Sequence, residues 1–413
     1  MSLEKNIKIG QSRNQTREKR KSQVCKVYKV KIQNSALSPA QREFLKMFFV
    51  EAKWIYNDIL NFSKENNIKD YDYKVNKITK LDKNRNKEEQ DIKYIHSQIK
   101  QTLIQGILAS IKSLSKLKKN GNKIGALKFK SQINSLDLKQ YEVSYKILSK
   151  NKIKIGGIKK PLRVNGLKQI NLDEIEFANA KLLNTPSGYY LSITTYIDKN
   201  KLKNKNQKLN QTIGIDFGCS ISFTLSTGEK FNIFVEETER LKNLQKKLAR
   251  QVKGSNNRYK TILKIRKEYQ KLSNRKNDLS NKLVAMLISY EKIVIQDEQL
   301  NIWKIRNGKK IQHSILGRVK SKLINMDNVV VLNRFVPTTK TCINCGNIID
   351  INLNQRTFKC ECGVEEDRDI HAAKNMIWFE KNNIGVGRTD FKPVELKNLI
   401  SKALKQEDAM SLA

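Results

Sequence analysis

The chain has 413 residues, enough for two or three domains, and 38% of them are apolar, which suffices for packed cores. Lys and Arg number 81 against 40 Asp and Glu, so the formal net charge is +41. A compact state repels itself at this charge unless a polyanion neutralises it, which predicts a nucleic-acid partner; a lysine-rich surface that reflects genome composition is the alternative. The sequence has no apolar run of about 18 residues and no secretory signal, so we expect no membrane contact and a cytoplasmic protein.

The amino-terminal part of the chain predicts a strand followed by helices. Residues 1–22 are polar and basic, and we expect them to form a disordered arm. Apolar and polar residues alternate at 24–33, which predicts a strand. Ser38 followed by Pro39 predicts the start of a helix, and helical periodicity continues, with interruptions, to about residue 118.

The remaining elements divide at a polar, charged stretch, residues 198–211, which predicts a linker and a domain boundary. Before it, residues 141–197 have the alternation of β-strands. After it, "TIGIDFGCSISFTLSTGEKF" predicts two strands joined by a tight glycine turn, and a basic helical hairpin broken at "GSNN" follows. Two short apolar runs predict buried strands, at 292–300 and 328–332.

Four of the six cysteines lie close together in the sequence, as Cys342, Cys345, Cys360 and Cys362. They form C-x-x-C and C-x-C pairs, each followed by glycine, and two such pairs can supply the four sulfurs of a tetrahedral zinc site. Unrelated buried thiols are the alternative. Four thiolates fill the coordination shell, so the predicted zinc is structural. The two isolated cysteines make a disulfide framework improbable and favour a reducing compartment.

Carboxylates appear at three distant positions in patterns that suit a metal. Asp216 stands between glycines on a strand, in "GIDFG", where the alternative is an Asp at a bend. Asp297 and Glu298 follow the strand "IVI", where ligands collect in α/β sheets, unless they are simply a solvated strand end. Asp367 and Asp369 precede a helix, and either could be its N-cap.

These acids share one interpretation. Two strand carboxylates and one helix-start carboxylate can hold two divalent cations on a scissile phosphate, and magnesium needs only a few carboxylates because it keeps waters. Ala372 and Ala373 would let the helix pack closely on the sheet and bring its acid towards the strand ends. In a chain this basic, a metal explains why acids gather.

The sequence resembles the TnpB family, RNA-guided nucleases carried by insertion sequences and related to compact type V CRISPR effectors. The resemblance is dense over about 211–377 and looser before that, where "GALKFKSQ" and "GYYLSITTY" are similar to the family's wedge region. The stretches that carry it are "GIDFG", "GSNNRYKTILKIRKEYQKLSNRKNDLSNKL", "IVIQDEQLNIWK", "PTTKTCINCG" and "CECGVEEDRDIHAAKNM".

The resemblance implies an α/β RNase H-like (RuvC) nuclease domain with an inserted zinc ribbon, preceded by a β-rich wedge domain that carries a helical recognition insertion. The implied divisions are an arm at 1–22, wedge strands at 23–37, a recognition domain at 38–120, the rest of the wedge at 121–197, the linker, and the nuclease domain at 212–413 with its ribbon at 338–364.

By motif position, the family's catalytic acids fall on Asp216, Glu298 and Asp369. His371 replaces the Asn that is usual two residues after the last acid. The resemblance implies two Mg²⁺ at these acids, one structural Zn²⁺, and cleavage that leaves a 5′-phosphate and a 3′-hydroxyl. The implied partners are a guide RNA and a double-stranded DNA target with a short flanking motif, for a monomer or dimer. A compact type V CRISPR effector, and a DNA-binding transposase or regulator without a guide, are the alternatives.

Overall fold

The computed structural model describes residues 3–81, 87–171, 175–201, 209–352, 354–386, 399–404 and 406. The chain divides into two compact units, Met1–Lys203 and Asn204–Ala413. In the ranges given above, no helix combines the length and the apolar run that crossing a bilayer requires. The domain limits that the resemblance implies stay a prediction.

The first unit is built on a long antiparallel sheet with helices inserted after its first strand. Its elements are α1 (Leu3–Lys21), β1 (Gln23–Ile32), α2 (Pro39–Phe62), β2 (Lys77–Leu81), β3 (Lys87–Asp91), α3 (Ser97–Lys119), β4 (Ser135–Leu138), β5 (Tyr145–Ser149), β6 (Lys152–Ile155), β7 (Leu162–Asn165), β8 (Glu176–Thr185) and β9 (Gly188–Asp198).

Seven strands form this sheet in the order β4-β8-β9-β1-β7-β6-β5, and every neighbouring pair is antiparallel. The predicted strand at 24–33 and the β-rich region at 141–197 are confirmed as elements of it. One face of β1, with Val30 and Ile32, belongs to the same buried core as Leu45 and Ile55 of α2. The alternation along β1 and β9 therefore reports a sheet with one buried face.

The start of α2 is as predicted, because its first turn satisfies its own backbone donors. The Ser38 hydroxyl accepts from the Gln41 amide, the Gln41 side chain accepts from the Ser38 amide, and Pro39 occupies the first helical position. The two-stranded sheet of β2 and β3, between α2 and α3, was not predicted. Its second strand, "KEEQD", has no apolar alternation, so the sequence gives no periodic signal for it.

The predicted disorder of residues 1–22 is wrong, because the structure has a helix there, α1. The end of α1 is held to the sheet: the Arg20 guanidinium lies 3.5 Å from the centre of the Tyr196 ring and 2.7 Å from a Glu176 oxygen. These bonds, with that of Lys19, lower the pKa of Glu176 to about 2. The partners of Arg20 lie far along the chain, so local composition could not reveal them.

The second unit is an α/β structure. Its elements are β10 (Leu209–Phe217), β11 (Phe223–Leu225), β12 (Lys230–Phe231), α4 (Glu239–Ala249), α5 (Asn256–Leu287), β13 (Tyr290–Gln296), α6 (Leu300–His313), α7 (Leu316–Leu323), β14 (Val329–Leu332), β15 (Thr357–Lys359), β16 (Glu365–Asp367) and α8 (Arg368–Lys381).

A five-stranded mixed sheet organises this unit, in the order β12-β11-β10-β13-β14. β10, β13 and β14 run parallel, while β11 and β12 form an antiparallel meander with β10. The predicted strands and the hairpin α4–α5 are confirmed. The predicted linker 198–211 is too long, because β9 ends at Asp198 and β10 begins at Leu209; residues 202–208 lie outside the described ranges. The polar composition of this stretch predicts a loop, but hydrogen bonds to neighbouring strands extend β9 and β10 into it.

The two faces of β10 contact different layers. Ile213 and Ile215 belong to a core with residues of α5 and α7. On the opposite face, α8 lies directly against Gly214, where a Cβ would collide with the carbonyl oxygen of Ala373. The small residues that we expected to let this helix approach the sheet therefore do so, and the approach places the start of α8 near the carboxyl end of β10.

We expect Gly214→Ala to lower the free energy of unfolding by about 2–3 kcal/mol, because the added methyl group meets backbone of α8 that cannot rotate away. Urea unfolding followed by tryptophan fluorescence measures the change. Gly308→Ala on α6 is the control, because its Cβ meets nothing within 4 Å and alanine favours helix. Equal stability of the Gly214 variant and wild type would contradict the close contact.

Candidate active site

Asp216 stands at the carboxyl end of β10, on the face that α8 covers. Burial raises the pKa of its carboxyl well above the ordinary value, and repulsion from Asp369 and from Glu298 raises it further. The charge of Arg368 opposes these effects. A strand end that places two acids near a largely enclosed carboxylate disfavours the charged form of that carboxylate unless a cation is added.

Glu298 and Asp297 follow β13, the parallel neighbour of β10, and they have different surroundings. The Lys320 ammonium lies 2.9 Å from an Asp297 oxygen and also donates to the backbone carbonyl of Glu298. Burial raises the pKa of the Glu298 carboxyl, while the charge of Lys320 lowers it. Asp297 is thus engaged in an ion pair, and Glu298 is the acid whose charge reaches Asp216.

Asp367 and Asp369 also divide between two roles. Asp367, one of the two candidates, is the N-cap of α8: its carboxylate accepts from the amides of Asp369 and Ile370 at 3.1 Å and lies 2.7 Å from the Lys230 ammonium. Asp369, in the first turn, receives the Arg368 guanidinium at 3.1 and 3.2 Å. Only Asp369 of this pair acts on the pKa of Asp216.

The structure therefore brings Asp216, Glu298 and Asp369 into electrostatic contact from β10, the end of β13 and the start of α8. Their oxygens do not all lie within 4.8 Å of one another. Carboxylate oxygens are the donors that a hard cation such as Mg²⁺ prefers, and waters complete its shell. The donor set suits divalent cations bound to a phosphate.

The four clustered cysteines are brought together more tightly. Their sulfurs all lie within 4.8 Å of one another, with 3.5 Å between Cys342 and Cys362 and 3.4 Å between Cys345 and Cys360. A tetrahedral site with metal–sulfur bonds of about 2.3 Å separates its sulfurs by about 3.8 Å. The Asn344 amide lowers the pKa of the Cys362 thiol to about 6, whereas burial raises the pKa values of the Cys342 and Cys345 thiols.

His371 joins the four-cysteine region to the helix that carries Asp369. Its side chain is 1% exposed and its ring is stacked on Phe358, with 3.7 Å between ring centres. Nδ1 lies 2.6 Å from a Glu366 oxygen, and Nε2 lies 2.8 Å from the Thr341 carbonyl, next to Cys342. Thr341 precedes the first cysteine pair, Phe358 lies between the two pairs, and Glu366 follows the second pair. One buried ring therefore fixes all three of these segments to α8.

Sequence reasoning missed three residues that shape this site. Lys320 holds the loop after β13, Arg368 binds Asp369, and Gln296 is 4% exposed and donates to the carbonyls of Asn333 and Val336. Two of them are cations among 81 in the sequence, so nothing local distinguishes them. Gln296 carried a weak signal in the sequence. It ends an apolar strand, and a side-chain amide that is buried there has to be hydrogen-bonded.

Two family models match parts of the chain. One, described as a Cas12f1-like TNB domain, matches residues 318–376, and the other, described as "Probable transposase", matches residues 192–305. The first covers the four cysteines and Asp369, and the second covers Asp216 and Glu298. The matched segments are thus the ones that supply the candidate site.

Named relatives agree with these models. A protein of Streptomyces pristinaespiralis named "Putative RNA-guided DNA endonuclease" is 31% identical over 40% of this chain and 44% of its own length. "Putative RNA-guided DNA endonuclease InsQ" of Escherichia coli (strain K12) is 28% identical over 40% of this chain and 48% of its own length. "TnpB-like protein L79" of Acanthamoeba polyphaga mimivirus is 31% identical over 27% of this chain and 24% of its own length.

Over residues 192–305 and 318–376 the chain is similar to the TnpB family. It matches less than half of the length of each relative named above. Among solved structures, a chain from a complex of Cas12f1 with sgRNA and target DNA is 13% identical over 82% of this chain and 83% of its own length, with a TM-score of 0.46. That likeness is too distant to carry an argument about this chain.

Proposed function

We propose that this protein is an RNA-guided DNA endonuclease of a mobile element, and that Asp216, Glu298 and Asp369 are its catalytic acids. The observation that carries the proposal is the meeting of these three carboxylates at one end of the sheet, where two of them raise the pKa of the third. The mixed sheet supports an RNase H-like (RuvC) fold, because its parallel strands β10 and β13 end at this site.

The acids would hold two Mg²⁺, whose charge would stabilise the attacking and leaving oxygens on the scissile phosphate. Asp216 is fixed by β10, and Asp369 is fixed by the cap that Asp367 gives to α8. Lys320 engages Asp297, and Glu298 is the acid of this loop whose charge acts on Asp216. Water attacks phosphorus, the bond to the 3′ oxygen breaks, and the products carry a 5′-phosphate and a 3′-hydroxyl.

Arg368 has a second role in this proposal. Its guanidinium, with a side chain 14% exposed, bonds both the Asp369 carboxylate and the Gln355 carbonyl. It lowers the pKa of Asp216 and so favours the ionised state of that acid. Arg368 therefore offsets part of the rise in the pKa of Asp216, and it fixes Asp369 against the segment that precedes β15.

We also propose that Cys342, Cys345, Cys360 and Cys362 bind one structural Zn²⁺. The proposal is supported by four sulfurs within 4.8 Å of one another and by the absence of a free position once four thiolates are bound. When bound, the ion would hold together two short segments that have little core of their own. His371 then connects this zinc site to α8 through Thr341 and Glu366.

A guide RNA would supply sequence recognition, and the net charge of +41 supports a polyanionic partner. We expect the protein with its guide to cut DNA complementary to the guide and to leave unmatched DNA intact. RNA that copurifies with the protein is sequenced, and cleavage of matched and unmatched duplexes is compared in Mg²⁺. Equal cutting of both duplexes without RNA would overturn guidance in favour of a transposase that reads DNA by its own contacts.

A further inference from the structure

A line of cations lies between α5 and α7. On α7, Arg318 and Lys322 are one turn apart, and on α5 the facing residues are polar and neutral. Arg318 donates to the Asn277 amide oxygen and, at 3.1 Å, to the Ser273 hydroxyl, and Lys322 donates to the Asn281 amide oxygen. The three partners recur every fourth residue along α5, so they form one row of neutral side chains that aligns the two cations.

A third cation, Lys276, also lies on α5 and donates to the Gln312 carbonyl. We call the three cations Lys276, Arg318 and Lys322 the ridge. All three side chains are half-buried, and none forms an ion pair in the described part of the chain. Burial and the charge of Arg318 lower the pKa values of Lys276 and of Lys322, while Glu237 acts on Lys276 in the opposite direction without pairing. Arg318 therefore repels both lysines, and no ion pair with a described acid offsets that repulsion.

The ridge borders a cleft of about 1200 Å³ that reaches the candidate active site. Lys276 and Arg318 line this cleft together with Glu298 and Lys304. Lys304 donates to a neutral amide oxygen, that of Asn301. Glu298 places one end of the cleft at the proposed metal site, and the other carboxylate of the lining, Asp297, is paired with Lys320. No described carboxylate of the lining pairs with the remaining cations of the wall.

We propose that Lys276, Arg318 and Lys322 form a phosphate-binding ridge that holds the backbone of the DNA strand being cut as it passes through the cleft towards Glu298. The inference rests on the proposed function for the identity of the strand. Phosphate oxygens would replace the repulsion among the three cations with charge-assisted hydrogen bonds, and the neutral partners on α5 keep the cations aligned. Backbone contacts of this kind position a strand without reading its sequence.

The test replaces all three residues with glutamine in the guide-loaded protein carrying Asp216→Ala, so that binding is measured without cleavage. The probe is a short labelled single-stranded DNA without complementarity to the guide. Each contact to single-stranded DNA contributes about 0.7 to the slope of log affinity against log salt, so we expect the slope to become shallower by about 2. In the cleavage-competent protein, we expect the DNA concentration for half-maximal rate to rise and the rate at saturation to change little.

The matched control removes three lysines of the same unit that are already paired with acids, by Lys242→Gln, Lys282→Gln and Lys359→Gln. It makes the same change in net charge and should leave the slope near that of wild type. If the triple ridge variant unfolds, Lys276→Gln alone is used, because Lys276 lines the cleft, with an expected slope change of about 0.7.

An unchanged slope in the ridge variant, or an equal change in the control, would overturn the ridge while guided cleavage by wild type stands. Loss of guide RNA with unchanged DNA binding would also overturn it, in favour of an RNA contact. Failure of wild type to cut matched DNA would instead overturn the proposed function, and the binding slope would still report whether the ridge holds nucleic-acid phosphates.

Discussion

Asp369→Ala is expected to reduce cleavage of matched DNA by about 10³-fold or more, which corresponds to about 4 kcal/mol of lost transition-state stabilisation. The carboxylate is one of three that meet at the end of β10, and its neighbour Arg368 cannot replace an anionic metal ligand. Binding of guide and target should survive, because few phosphate contacts depend on one acid. Cleavage rate in Mg²⁺ and target affinity are measured side by side.

Asp367 provides the matched control, since it lies two residues away on the same helix start. Asp367→Ala removes an N-cap worth about 1 kcal/mol and an exposed pair with Lys230, so we expect slightly lower stability and substantial remaining cleavage. Asp367→Asn retains the cap acceptor and should lie closer to wild type. If Asp369→Ala still cuts and Asp367→Ala does not, the third ligand is assigned two residues too late.

The parts of the fold that the sequence predicted are those whose signals are local. The cap at Ser38 needs only residues within one helical turn, and the alternation along β1 or β9 needs only one half-buried sheet. The cysteine pairs were also recognisable from local sequence, because each pair closes its own short loop. The three acids were singled out by their positions on a strand, after a strand and at a helix start, and by the resemblance to the TnpB family; their catalytic role stays a proposal.

Two of the missed features depend on a partner farther along the chain. The helix α1 is held at Arg20 by Glu176 and Tyr196, and Lys320 holds the loop after β13 through Asp297 and the Glu298 carbonyl. The cations Lys320 and Arg368 belong to the commonest class of side chain in this protein. Only folding shows which of them are half-buried beside a carboxylate and which face solvent, because burial and pairing are tertiary properties.

Removal of zinc is expected to unfold the segment 338–367 and to abolish cleavage as a consequence. Apparent binding free energies for structural zinc are on the order of 10 kcal/mol, and strands β15 and β16, three residues each, cannot replace that contribution by packing. β16 leads directly into α8, so loosening it also releases the Asp367 cap and the Glu366–His371 contact that orient Asp369.

Cys360→Ser tests this, with zinc content by elemental analysis, hydrogen exchange over 338–367 and cleavage as the three measurements. We expect loss of one zinc per chain, faster exchange in this segment, and a loss of cleavage that is secondary to it. Cys25→Ser is the control, because Cys25 is exposed on β1 of the other unit and should leave zinc content unchanged. Wild-type protein that contains no zinc and has four freely titratable thiols would contradict the site. Cleavage that persists after complete zinc loss would show that α8 keeps Asp369 in place without the cysteine cluster, and that the contacts of Gly214 with Ala373 suffice to position it.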